Sequence, residues 1–115
     1  MSPGPTLTPG LMVDAAAAPI AHEPLPAELI VSGSPTTGLV ELTDTIGVWE
    51  HAPGVSTDVE ADEVFIVLAG RGVVAFDDPA LAPIALRPGV VAQLSEGMRT
   101  TWTITETLRK VYLLG

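Results

Sequence analysis

From Gly38 onward the chain alternates short apolar, β-branched runs with turn residues. The runs are Leu39–Leu42, Ile46–His51, Val55–Val59, Glu63–Ala69, Val73–Phe76, Ile84–Leu86, Val90–Leu94, Thr100–Thr105 and Val111–Leu114. Between them lie Thr43-Asp44, Pro53-Gly54, Gly70-Arg71-Gly72, Asp77-Asp78-Pro79, Pro88-Gly89 and Glu96-Gly97. Short strands at roughly 8–12-residue spacing predict an all-β sandwich or barrel. The longest stretches free of Pro and Gly are Val55–Ala69 and Met98–Leu114, and both are too rich in Val, Ile and Thr to favour a helix. Strand periodicity also assigns faces. In Arg99–Glu106, Thr100, Trp102 and Ile104 alternate with Arg99, Thr101, Thr103 and Thr105, so Thr100 and Trp102 should share the interior side. Glu63–Ala69 is apolar on both faces, which predicts a second layer or a subunit interface over it.

The N-terminal quarter follows another rule. Pro3, Pro5, Pro9, Pro19, Pro24 and Pro26 are six of the eleven prolines and forbid a long helix or a central strand there. A mobile first dozen residues, one helical turn at Ala15–Ala18 ended by Pro19, and an extended arm over Leu25–Ser32 are expected. The organisation read from this is a flexible Pro-rich arm at 1–27 and one barrel domain at 28–115. A chain of 115 residues has room for one domain.

Charge and composition remove several functions. Five basic residues face fourteen acidic ones, net −9, and no Lys or Arg precedes Arg71. Nucleic acid needs a basic footprint and acidic membrane surfaces would repel this chain, so neither partner is expected. No apolar run reaches the roughly 20 residues of a membrane span, and no charged leader region opens the chain, so a cytoplasmic location is the expectation. Cysteine is absent, which excludes thiol nucleophiles, disulfides and zinc–thiolate sites.

Several segments carry a family resemblance. They are Val31–Pro35, Gly47-Val48-Trp49-Glu50 with Pro53-Gly54, Glu63 through Gly70, Pro88-Gly89, Gly97 to Trp102, and Arg109-Lys110-Val111-Tyr112. In this order, over about residues 28–114, they resemble the two-motif skeleton of a cupin. More narrowly, they resemble the short cupins related to ureidoglycine aminohydrolase and to an ethanolamine-utilisation protein (EutQ-like). The resemblance implies a double-stranded β-helix, a jelly-roll-like barrel with the N-terminal arm outside it. It also implies a pocket in the barrel and association as a homodimer. It places Glu63, Lys110 and Tyr112 at the pocket, with Glu63 and Lys110 able to pair. The expected pocket set is completed by Trp49, Glu50, Asp58, Phe65, Thr100 and Trp102, with Trp49 and Trp102 as aromatic walls and Glu50 as a buried carboxylate. Arg99 and Arg109 read as surface or interface residues.

The metal chemistry of such relatives is not carried over. The positions that the resemblance gives to histidines fall on Ser56 and Asp58, or on Thr57 and Val59, and on Thr100. Only His22, in the arm, and His51 exist in the chain. A first-row metal site generally needs about three protein ligands, with imidazole favoured. No cofactor is therefore expected. The alternative is a divalent ion on carboxylates drawn from Asp58, Glu60, Asp62 and Glu63, with Glu63 and Asp58 best placed. Otherwise that group is a solvated acidic turn. Three functions remain: a metal-free small-molecule binder, a hydrolase or isomerase with an atypical Glu/Asp site, and a structural or regulatory dimerisation module with a degenerate pocket.

Overall fold

The computed structural model describes residues 7–115. Nine strands follow in chain order: β1 (Glu23–Pro24), β2 (Ile30–Ser32), β3 (Thr36–Glu41), β4 (Ile46–His51), β5 (Gly54–Val59), β6 (Glu63–Phe76), β7 (Ile84–Leu86), β8 (Val91–Leu94) and β9 (Arg99–Leu114). A 3-10 turn at Ala27–Leu29 precedes β2. All strand pairs are antiparallel, and the sheet runs β1-β3-β4-β9-β5-β2, with β6 pairing β7, β8 and β9. The fold observed is the all-β class expected from the pattern and the jelly-roll-like barrel that the resemblance implies.

Two long strands organise it. β9 pairs β5 along its first half and β4 along its second, while β6 follows its whole length from Glu63↔Leu114 to Phe76↔Thr100. The sequence pattern divided each long strand in two. Gly70-Arg71-Gly72 is not a turn but the interior of β6, where the register against β9 shifts. Gly70 holds φ +97°, and a Cβ there would run into the Thr107 carbonyl oxygen, so the strand passes its irregularity only on glycine. Local punctuation signalled an ending. Pairing on both sides of the irregularity overrides it.

The interior cluster contains Phe65, Val67, Val74, Leu86, Leu94, Trp102, Ile104 and Leu108. Thr100, Trp102 and Ile104 are buried together, as the alternation of β9 required. On β6 only the inner face is fully buried within this chain. Phe65 and Val67 are enclosed, whereas Val64, Ile66 and Leu68 are half-buried, with no second layer over them among the described residues.

The arm lies against the sheet. Ala18 is buried with Val40, Leu42 and Val48, and Val13, Ala15 and Ile20 pack around them on the outer side of β3, β4 and β9. Asp14 closes the turn at Ala15–Ala18 by accepting from the Ala17 and Ala18 amides. The expected mobility of the first dozen residues falls partly outside the described chain. Within it, the Leu7 amide donates to the Leu42 carbonyl. No helix among the described residues is long and apolar enough to cross a membrane.

Candidate functional site

One end of the barrel encloses a concavity of about 260 Å³. β9 supplies Trp102, Lys110 and Tyr112 to its wall, β4 supplies Trp49, and β6 supplies Glu63. Asp58 and Glu60 enter from the end of β5, and Leu39 and Leu114 form the apolar rim.

Lys110 is the centre of this site. It lies opposite Trp49 on β4 and Val67 on β6, so strand alternation sends its side chain inward. Lys110 is only 4% exposed, a position that demands compensation. Its Nζ donates to Glu63 Oε2 at 2.5 Å. The same ammonium stands 4.6 Å from the ring centre of Phe65 and 4.7 Å from those of Trp49 and Trp102. Aromatic faces are electron-rich, so three of them replace part of the lost hydration. The rings brace one another, Trp49 with Trp102 at 5.5 Å and Phe65 with Trp102 at 5.7 Å.

Tyr112 continues the same face of β9, opposite Gly47 and Phe65. Any Cβ at Gly47 would overlap the Tyr112 ring, so this glycine makes the space in which the tyrosine lies. Burial, then the charges of Glu41 and Glu63, push the Tyr112 hydroxyl above its usual pKa.

Glu60 corrects the reading of the acidic run as a solvated turn. It is 8% exposed, and its Oε2 accepts from the Thr100 hydroxyl at 2.6 Å and from the Trp102 indole at 3.1 Å. The turn before β9 fixes it from below, since Glu60 N–H donates to the Met98 carbonyl and Gly97 N–H to the Glu60 carbonyl. Thr100 and Trp102, two donors on one inward face, were the available signal that a carboxylate must meet them. Asp58 stays at the exposed rim with its Oδ1 accepting the Val59 amide. Partial desolvation, then the charges of Glu60 and Glu63, raise its pKa. Asp62 is exposed and accepts from the Glu96 amide.

Glu50 does not join the pocket. Trp49 faces inward, so its neighbour must face outward. There Glu50 accepts from Arg109 Nε at 2.8 Å and meets His22 Nε2 at 2.7 Å. Arg109 also donates to the Ala15 carbonyl, and His22 Nδ1 meets the Thr36 hydroxyl. Arg109 is therefore not a free surface residue but a clamp on the arm. Burial pushes the Glu50 pKa up, but the bonds from His22 and Arg109 outweigh it and hold the group below its ordinary value. His51 is buried as well, with Nδ1 2.5 Å from the Ala52 carbonyl and Nε2 2.8 Å from the Ser56 hydroxyl. Desolvation holds its pKa below the ordinary histidine value. This pair pins β4 to β5 and does not line the concavity.

The residues present do not fit a divalent metal. Among the described residues no group of three His, Asp or Glu side chains is placed to hold a metal ion. Glu63 already faces the Lys110 ammonium, and the positions given to histidines carry Ser56, bonded to His51, and Thr100, bonded to Glu60.

A family model described as EutQ-like cupin domain matches residues 41–112. No curated protein matches. Among solved structures, a DUF861-family protein of unknown function from Pseudomonas syringae superposes with a TM-score of 0.69 at 20% identity, covering 84% of this chain and 44% of that one. The chain thus spans less than half the length of that protein. Ethanolamine utilization protein Q from Salmonella typhimurium gives a TM-score of 0.54 at 16% identity, with 67% of each chain covered. A DUF861-family protein from Thermotoga maritima gives 0.53 at 23% identity over 59% of this chain and 76% of that one. Such identities speak to the fold alone, whereas the family model takes in more than half of the sequence: the chain belongs to the EutQ-like cupin domain family.

Proposed function

We propose that this cupin domain binds a small organic molecule in the barrel concavity without a metal ion. The observation that carries the reading is the convergence of a buried ammonium–carboxylate pair, a Trp49–Trp102 aromatic wall and a second fixed carboxylate, Glu60, on one open space. Binding sites combine apolar walls with a few fixed polar groups in this way. The space is small, so the ligand is compact where it enters the barrel. The open space itself speaks against the dimerisation module with a filled pocket. Asp58, with its raised pKa at the rim, favours a second reading in which it transfers a proton to or from the bound molecule. The same proposal includes a homodimer, supported by the half-buried outer face of β6.

The test is metal analysis and thermal unfolding of purified protein beside Glu63→Gln. Substoichiometric metal and a Tm unchanged by chelator, with Tm raised by a small-molecule ligand only in the parent, are expected. Stoichiometric Mn, Zn or Fe lost from Glu63→Gln would overturn the metal-free reading.

A further inference from the structure

A second cavity adjoins the first. It is a cleft of about 420 Å³ between the arm and β3. Ala21 and Glu23 through Pro26 form its arm side, and Thr37–Leu39 with Trp49 form its sheet side. Leu39 and Trp49 line both cavities and form the boundary between the barrel chamber and the arm cleft. The cleft is preformed. β1 pairs Glu23↔Thr37 and Pro24↔Thr36, and proline's fixed φ stiffens that wall. Leu39 at the boundary is 52% exposed, an apolar side chain left open among the described residues.

Charge selects what enters. Lys110 is the sole cation lining either cavity among the described residues, and Glu63 engages it. Glu60 meets only the neutral donors Thr100 and Trp102, Asp58 stands at the rim, and Glu23 lines the arm cleft. Asp58, Glu60, Glu63 and Glu23 outnumber the single Lys110 ammonium, so an incoming cation finds an excess of carboxylates. An incoming anion meets their repulsion.

We propose that the ligand is an elongated primary amine, with its ammonium in the barrel chamber and its carbon body laid over Leu39 and Trp49 into the arm cleft. The inference rests on the pocket reading above and adds to it the ligand's charge, its length and a binding role for the arm. The outer-face contacts of Glu50, His22 and Arg109 then hold a wall of the site in place.

The test is calorimetric titration of the full chain with ethylamine, butylamine and hexylamine at neutral pH and low salt, with hexanoate as the charge control. Each methylene buried should lower Kd about two- to fourfold. Hexylamine should therefore bind far more tightly than ethylamine, and hexanoate should not bind. Leu25→Ser, whose side chain lines only the arm cleft, should collapse the hexylamine-to-ethylamine ratio. Amines that bind with no gain from chain length would overturn the arm-cleft inference and leave the pocket reading standing. Hexanoate binding in place of the amines would overturn the charge assignment. No binding by any of the four compounds would overturn the inference, and the ligand-induced rise in Tm would then decide the pocket reading separately.

Discussion

Lys110 shows how one residue's environment is assembled from three strands. Its ammonium relies on Glu63 from β6 and on rings from β4, β6 and β9. Lys110→Met removes the cation and leaves Glu63 against the rings with no counter-charge. Chemical denaturation should show a loss of about 3 kcal/mol, the scale of breaking a buried pair. Adding Glu63→Gln should restore much of it, because the stranded charge is then gone. Additive losses in the double variant would show that the pair is uncoupled. Asp58 works in the opposite sense. Its pKa is raised on folding, so its ionised form is disfavoured in the native state. It costs stability above its unfolded pKa, ordinarily 3.8, and the cost fades as pH falls through that range. Asp58→Asn should therefore raise Tm at pH 7 and lose the advantage near pH 3. Glu50 is held below its ordinary 4.5, so its contribution is present above that value and is lost as pH falls through its folded pKa.

Elements set where those residues meet. The alternation of β4 puts Trp49 in the pocket and Glu50 on the arm side, and β9 repeats the division with Lys110 inside and Arg109 outside. β6 pairs β8 before Gly70 and β7 beyond it, and it stays on β9 along both halves only because it continues through Gly70. Gly70→Ala would force a left-handed φ on a residue with a Cβ and press that Cβ onto Thr107 and Leu108. A loss of about 2 kcal/mol or more is expected in denaturant unfolding, from strain together with the backbone clash. Loss close to zero would mean that the strand re-registers at little cost. The nine apolar runs were legible because their period is local. The union of four of them into β6 and β9 was not: in β6 glycine punctuation looks the same in a turn and in a bulge, in β9 the polar stretch Glu106–Lys110 interrupts the apolar pattern, and in both only the partner strand decides.

At the scale of the molecule, the arm covers one part of the sheet's outer face and leaves another part open. The apolar row Val40, Val48 and Val111 is continued by Ile66 and Val91. Val40 and Val48 are buried beneath the arm, Ile66 is half-buried, and Val91 is 63% exposed. The proposed homodimer buries that continuation. Sedimentation velocity should give about twice 11.9 kDa for the parent, and Val91→Lys should shift it toward the monomer. A monomeric parent at tens of micromolar would end the proposal. The paired arrangement of Glu50, His22 and Arg109 also belongs to this scale, because it joins residues far apart in sequence through the folded arm.

The sequence by itself determined the all-β class and, through the resemblance its motifs carry, the barrel family. Turn residues and two-residue periodicity act over a few positions, and the motif from Arg109 to Tyr112 carries its facing with it. Trp49, Asp58, Glu63, Trp102, Lys110 and Tyr112 do line one cavity, with Phe65 and Thr100 directly behind it. The tertiary structure alone decided that Glu60 is a buried acceptor, that Glu50 and Arg109 fasten the arm, and that the arm builds a second cleft beside the first. Each of these depends on which distant strand or segment lies opposite. Contact between residues remote in sequence is settled by closure of the sheet and docking of the arm, and neither is written in the local pattern.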